Sequence, residues 1–339
     1  MDTLPGLRTR PLAEDDAAAW WRLQERAAAV DRPPCRDSEE RLRSVLTAEG
    51  FDARRQGLAG VDAAGELRAA AVVGLRLGDV SQLRLVLDGV VDPAWRGRGV
   101  GTALLAWGRA TAAGRAAARR AELGREVPGE LQVWVDEGRE DLRPLCERHG
   151  LRVRRFFSTM RLDLRPGPPP ARAAPPGFRL VALEEAGALL GVPFEHVDER
   201  LRTVHNEVFA DHWGSQPLSR ADWSAFVTGS PEHRRDLSLL VLDPDGEVAA
   251  YADVHAHPGD WPALGFPQAE LGHLGVRRRH RGRGLATLLL AAVARRAAAA
   301  GMAAVVLDVD SENPSGAVGL YERAGYVPVA SSSLWAAPV

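Results

Sequence analysis

The 339-residue sequence contains no lysine and no isoleucine, and all 43 of its basic side chains are arginine. Without an ammonium side chain there is no Schiff-base lysine, no pyridoxal phosphate anchor, no Walker-A lysine and no kinase-type strand lysine. Any phosphate must be held by guanidinium groups and backbone amides. The two cysteines, Cys35 and Cys146, are too few and too far apart for a disulfide framework or a zinc ribbon. No run approaches the roughly 18 apolar residues of a membrane span. The first thirty residues, broken by Glu14, Asp15 and Asp16, show no signal peptide. A surplus of charge is missing too: 43 basic against 45 acidic residues leave a net charge of -2. That argues against broad nucleic-acid binding. The expectation is a cytoplasmic, globular chain of about two domains, a monomer or homodimer with no membrane or nucleic-acid partner.

What is present is a repeat. The proline-rich segment 165–177 cannot continue a helix or a central strand, and it divides the chain nearly in half. On each side stands one glycine-rich turn: Val91-Asp-Pro-Ala-Trp-Arg96-Gly-Arg-Gly99-Val-Gly101 and Val276-Arg-Arg-Arg-His-Arg281-Gly-Arg-Gly284-Leu-Ala286. Each turn follows an apolar strand pattern and precedes an alanine- and leucine-rich helical stretch. A second strand (Leu131–Val135; Ala304–Val309) and a helix ending Leu145-Cys-Glu-Arg-His-Gly150 or Leu320-Tyr-Glu-Arg-Ala-Gly325 come next. Upstream, Asp243-Pro-Asp-Gly246 signals a hairpin. Each half thus reads as an α/β (α+β) unit, and the order of elements implies tandem duplication. The expected boundaries are 1–165 and 178–339, joined by 166–177.

The turn has a physical use. Glycine permits positive φ and close backbone approach. The unpaired N–H groups and dipole of the following helix favour an anion, and flanking guanidiniums add charge-assisted contacts. The ribose acid and spacing of a Rossmann fingerprint are absent. A solvated tight turn would explain one copy; two copies in matched contexts point to pyrophosphate.

Arg96-x-x-Gly99-x-Gly101 and Arg281-x-x-Gly284-x-Ala286 resemble the first signature motif of the GCN5-related N-acetyltransferases. Asn313-Pro-Ser-Gly-Ala317 with Leu320-Tyr321-Glu-Arg-Ala-Gly325-Tyr326 resembles the second, although Asn313 precedes Tyr321 by one residue more than usual. The resemblance implies two tandem domains, each a mixed, mostly antiparallel sheet flanked by helices, with acetyl-CoA as acyl donor. It implies that Arg281, Gly282, Arg283, Gly284, Leu285 and Ala286 bind pyrophosphate, and likewise Arg96, Gly97, Arg98, Gly99, Val100 and Gly101. Asn313 would contribute to the same cofactor site. The strand Leu274-Gly275-Val276 would pair with the pantetheine arm and polarise the thioester.

Aligned on the turn arginines, Glu270 falls where some members carry the general base, opposite Leu85 of the first half. Tyr321 falls where many carry the acid that protonates the thiolate, opposite Cys146. The second half is therefore expected to be catalytic, transferring acetyl to a primary amine of a small molecule. Acetylation of the cysteinyl amine of a pseudodisaccharide thiol is the alternative. A regulatory acetyl-CoA-binding role is the reading from a different class. For the acceptor, Glu207 and Asp211 are candidates to attract an ammonium and Trp213 to cover it. By strand alternation His273 is placed on the face opposite Glu270, as a secondary proton-transfer candidate. His255-x-His257 puts two imidazoles on one strand face, but no ligand framework completes a metal site, and none is expected.

Overall fold

The hairpin turns show how the sequence begins each sheet. Asp243 accepts the backbone N–H groups of Asp245 and Glu247, at 3.1 and 3.0 Å, and Gly246 takes φ +80°. Asp62 does the same for Ala64 and Glu66, with Gly65 at φ +83°. These Asp-anchored turns fix the register of the strands they join. A computed structural model describes residues 4–33, 37–47, 51–75, 79, 81–212, 215–312 and 316–339, without the side chains of residues 225 and 226.

The described strands are β1 (Arg8–Arg10), β2 (Gly57–Val61), β3 (Leu67–Leu75), β4 (Leu83–Val91), β5 (Gly129–Asp136), β6 (Arg152–Asp163), β7 (Arg179–Ala182), β8 (Leu239–Leu242), β9 (Val248–His255), β10 (Gln268–Val276), β11 (Ala304–Asp310) and β12 (Val327–Pro338). They form two compact units, Met1–Phe157 with Ala330–Val339, and Ser158–Val329.

In unit 1 the strand order is β1-β2-β3-β4-β5-β12. Among the described residues its pairings are antiparallel except β4–β5, which is parallel and spans the helix Val100–Leu123. Unit 2 runs β7-β8-β9-β10-β11-β6, again with one parallel pair, β10–β11, around the helix Leu285–Ala299. The fold is the mixed, mostly antiparallel α/β architecture expected.

The compact units are not the two halves flanking the proline-rich segment. That segment carries neither helix nor strand, but it lies inside unit 2. Unit 1's sheet ends instead on the C-terminal residues, with Ser332–Pro338 paired to β5. Trp335 and Ala337 are buried in unit 1's core beside Leu131 and Val135. Ser158–Asp163 of β6 belong to unit 2, where Met160 and Leu164 join the core under Leu285–Ala299.

Each face of unit 2's sheet has its own core. Leu288, Leu289, Val293 and Ala297 of the helix Leu285–Ala299 pack on one face with Ala252, Val254 and Leu271. Val197, Leu201 and Val204 of the helix Phe194–Val208 cover the other with Tyr251 and Trp223. Asp253 and His255, which share this second face, are buried between sheet and helix.

Candidate active site

The site is built on β10, which has strand partners on both sides for only part of its length. Gln268, Ala269 and Glu270 pair with Ala304, Val305 and Val306 of β11, and no later residue of β10 pairs with β11. On the other side β9 stays paired through Val276. The edge from Leu271 to Val276 is therefore left open toward β11, the position for an extended ligand to add as a strand. Leu274, Gly275 and Val276 lie along it. A Cβ at Gly275 would come within 2.5 Å of the Tyr251 ring, so only glycine fits there.

Beyond β10 the chain enters the turn. Gly282 and Gly284 take φ of +75° and +78°, and a Cβ on either would meet nothing within 4 Å. Gly284 caps the helix Leu285–Ala299 without any side-chain bond to its first turn, so the N–H groups from Leu285 and Ala286 onward face outward unclaimed by a capping side chain. Five arginines cluster at 277–283. Arg277 is held by Glu207 at 2.8 Å, Arg278 by Asp211 at 2.9 Å and Arg279 by Asp243 at 3.3 Å. Arg281 and Arg283 have no carboxylate partner among the described residues. Arg281 donates only to the Val276 carbonyl, and Arg283 lies over the Phe178 ring. Two uncommitted guanidiniums beside a glycine-capped helix N-terminus fit a pyrophosphate.

Glu270, half-buried on β10, has Oε2 2.9 Å from Nε2 of His257. This hydrogen bond, with the charge of the imidazole, holds the carboxyl below its usual range and raises His257 above the ordinary histidine value. Glu270 is thus ionised and able to take a proton. Tyr321, in the helix Ala317–Arg323, packs on unit 2's core with its ring 5.9 Å from that of Tyr326. Burial pushes its phenol up to about 12, so it holds its proton until a strongly basic group forms beside it.

His273 is on the same face as Glu270, not the opposite one. The β9–β10 register shifts between Leu271 and His273, leaving Gly272 as the extra residue of a β-bulge. Glu270 then lies across from His255 and His273 from Asp253, two positions that share a face. Simple alternation fails because the bulge adds one residue.

Among acceptor candidates, Glu207 and Asp211 are occupied by Arg277 and Arg278 as described, while Trp213 and the cofactor candidate Asn313 lie outside the described residues. Three side chains with no role assigned from the sequence emerge here: His257 bonded to Glu270, the buried Asp253, and His205, which packs on His273 and has its Nδ1 2.6 Å from the Tyr251 hydroxyl. Burial lowers His205 to about 3, so it is neutral. No group of three or more metal-ligating side chains is present among the described residues.

Unit 1 repeats the backbone of the turn but not the side chains around it. Gly97 and Gly99 take φ of +72° and +82°, and β4 pairs with β5 only through Val86. Arg98 lies over Trp95, and Val100 and Gly101 open the helix as Leu285 and Ala286 do. Arg96, however, is clamped by Asp31 through two bonds of 2.6 and 2.7 Å. Asp31 ends the helix Ala17–Asp31 and also binds Arg139. A cavity of about 250 Å³ beside it is lined by Glu25, Asp31, Asp37, Asp88 and Asp136, with Arg139. Counting from the turn aligns Leu85 with Glu270, but the bulge at Gly272 adds a residue to β10 and the register puts Val86 at that place: Val86–Gln132 is the last β4–β5 pair, as Glu270–Val306 is the last β10–β11 pair. Val86 is apolar, Leu85 points into the core, and Cys146, aligned with Tyr321, is buried.

The sequence model of the Acetyltransferase (GNAT) family matches residues 199–326, a stretch that contains Glu270, the Arg281 turn and Tyr321. The mycothiol acetyltransferase of Clavibacter michiganensis subsp. michiganensis is 31% identical over 237 residues, covering 70% of this chain and 67% of that relative. The chain belongs to the GNAT acetyltransferase family. Its matches to mycothiol acetyltransferases span about two thirds of those relatives' length. The crystal structure of a GCN5-related N-acetyltransferase from Sphaerobacter thermophilus aligns at a TM-score of 0.72 and 27% identity, covering 99% of this GNAT chain and 97% of that one. A tandem GNAT protein from the clavulanic acid biosynthesis pathway shares the fold over 98% of both chains, at a TM-score of 0.62 and 18% identity. GNAT enzymes generally use acetyl-CoA, and the open edge of β10 and the Arg281 turn suit its pantetheine arm and pyrophosphate. No helix among the described residues is long and apolar enough to cross a membrane.

Proposed function

We propose that unit 2 transfers the acetyl group of acetyl-CoA directly to a primary amine of a small molecule. The observation that carries this reading is the coincidence, on β10 and its continuation, of an open strand edge, an ionised Glu270 and a turn whose two arginines have no carboxylate partner among the described residues. Arg281, Arg283 and the amides following Gly284 hold pyrophosphate. The backbone at Leu274 and Gly275 orients the thioester, whose acetyl carbonyl is the electrophile supplied by the cofactor. Glu270 takes a proton from the incoming ammonium, directly or through a water. Tyr321 gives its proton to the departing sulfur. Fixing both reactants beside each other supplies much of the acceleration.

A second reading narrows the acceptor. The similarity to mycothiol acetyltransferases over about 240 residues favours the cysteinyl amine of a pseudodisaccharide thiol. The direct test incubates the purified chain with labelled acetyl-CoA and a pool of primary amines that includes this thiol, and reads products by mass. An acetylated amine that disappears in Glu270→Gln supports the proposal. Transfer that survives Glu270→Gln and Tyr321→Phe together contradicts it. Acetylation of the pseudodisaccharide above all other amines in the pool selects the second reading.

A further inference from the structure

The face of unit 2's sheet that carries Glu270 holds one carboxylate buried among imidazoles. The Asp253 side chain, on β9, is 1% exposed. Its Oδ2 is 3.0 Å from Nε2 of His255 and 3.0 Å from Nδ1 of His273, and its Oδ1 is 3.1 Å from Nε2 of His233. The contact to His273 depends on the bulge, because Gly272 leaves room for the carboxylate: a Cβ there would sit 3.0 Å from Oδ2. No arginine pairs with Asp253 among the described residues. A buried charge of this kind is strongly unfavourable unless fully hydrogen-bonded. His255 and His273 provide hydrogen bonds to Oδ2, while Oδ1 has His233 at ion-pair distance and no hydrogen bond among the described residues.

We propose that Asp253 is a positioning residue for acetyl transfer: by accepting the Nδ1–H of His273 it places the neutral ring's lone pair on Nε2 and makes it a second proton acceptor beside Glu270. This rests on the reading that unit 2 is catalytic. An ionised carboxylate can only accept, so the proton of a neutral His273 is fixed on Nδ1 and the lone pair on Nε2. The His273 side chain is 31% exposed, whereas His233 and His255 are nearly closed off at 1% and 11%. Of the three, His273 is the one that substrate can reach. Its ring meets Phe209 and His205 edge-on, at 5.6 and 4.8 Å, which fixes its plane. Glu270 and His273 lie across from β9 residues two apart, a separation of about 7 Å along the strand. One bound nitrogen can address both.

The proton inventory needs two acceptors. An ammonium acceptor sheds two protons as the nitrogen–acetyl bond forms and the acetyl–sulfur bond breaks. The first passes to Glu270 and frees the nitrogen lone pair. The second passes to Nε2 of His273, giving an imidazolium whose Nδ1–H remains on Asp253. Sulfur leaves with the Tyr321 proton. One of the two shed protons returns through water to Tyr321, and the other goes to solvent.

Burial opposes ionisation of Asp253, but the bonds from His255 and His273 and the nearby His233 imidazole outweigh it and hold the carboxyl well below its ordinary range. The dyad therefore keeps its carboxylate throughout the working pH range. The ionisable groups around it are His233, His255, His273, Glu270, the neutral His205 and Tyr251.

The test has two arms on the full-length protein. Nitrogen-15 imidazole spectra, assigned with His273→Gln, are expected to show His273 protonated at Nδ1 at high pH, and Asp253→Asn to shift it toward the Nε2-protonated form. This arm needs no activity and stands even if unit 2 proves inactive. In the second arm, acetyl transfer is measured over pH with an amine from the pool. Asp253→Asn and His273→Gln should each lower kcat about 10- to 100-fold, and the double variant should be no slower than His273→Gln alone. An unchanged tautomer in Asp253→Asn overturns the proposal, as does a double variant slowed by the product of the single effects. If Asp253→Asn does not fold, His273→Gln alone still decides: full kcat at every pH overturns it.

Discussion

The two glycine-rich turns share a backbone and differ in what their first arginine does. Arg96 and Arg281 both donate Nε to the carbonyl five residues earlier, at 3.2 Å. In unit 1 the rest of the guanidinium is consumed by Asp31, and the neighbouring cavity is lined with carboxylates. In unit 2 the outer arginines are neutralised one by one, and the two in the turn are left for a ligand. On the proposed function, the first arrangement disfavours a polyanionic cofactor and the second favours it. The same split recurs at the positions of Glu270 and Tyr321, where unit 1 has Val86 and a Cys146 thiol pushed up to about 11 by burial. A duplicated fold can keep the shape of a phosphate cradle while acids nearby take its charge. Shape alone does not identify the working copy.

The largest expected effect is Glu270→Gln, which should lower kcat/KM by about 10²- to 10⁴-fold through loss of the base. Loss of packing in unit 1 breaks the comparison from the other side. Trp335→Ala should cost about 3–5 kcal/mol in thermal or urea unfolding, while acetyl-CoA affinity stays at the unmodified value. If affinity falls in step with stability, unit 1 contributes to the cofactor site. Next, Tyr321→Phe should slow single-turnover transfer about 10- to 100-fold with little change in KM. An unchanged single-turnover rate removes its acid role. The smallest effect concerns pH. Glu270 is held below the usual carboxylate range, so its base form is present above that pKa and is lost only as pH falls through it. His257→Gln removes the main cause, and the acid limb of kcat/KM should move to higher pH. No movement would mean that another group sets that limb.

Much of the fold was legible because the chain repeats itself. The Asp-Pro-Asp-Gly turn, both Arg-Gly-Arg-Gly turns and the alanine-rich helices each carry a local signal, and their recurrence in order fixed the architecture. The compact units could not be read this way. The apolar alternation near Trp335 says strand, but nothing local says that it completes unit 1's sheet. The candidate site was half legible for a similar reason. Glu270 and Tyr321 stand out as candidates by alignment to a motif, whereas the Asp31–Arg96 clamp joins residues 65 apart with no shared pattern. The bulge that moves His273 beside Glu270 had one hint, the isolated Gly272 within a strand, since such glycines often mark bulges. Asp253 had none, because its importance lies in three imidazoles from different segments.

The most direct measurement is a calorimetric titration of acetyl-CoA into the full-length chain and into Arg96→Ala and Arg281→Ala. One site is expected in the unmodified protein, with the same affinity in Arg96→Ala. Arg281→Ala should bind about 10- to 100-fold more weakly, from the loss of a charge-assisted contact worth about 1.5–3 kcal/mol. Two sites in the unmodified chain, or binding lost in Arg96→Ala and kept in Arg281→Ala, would contradict the assignment of cofactor and chemistry to unit 2.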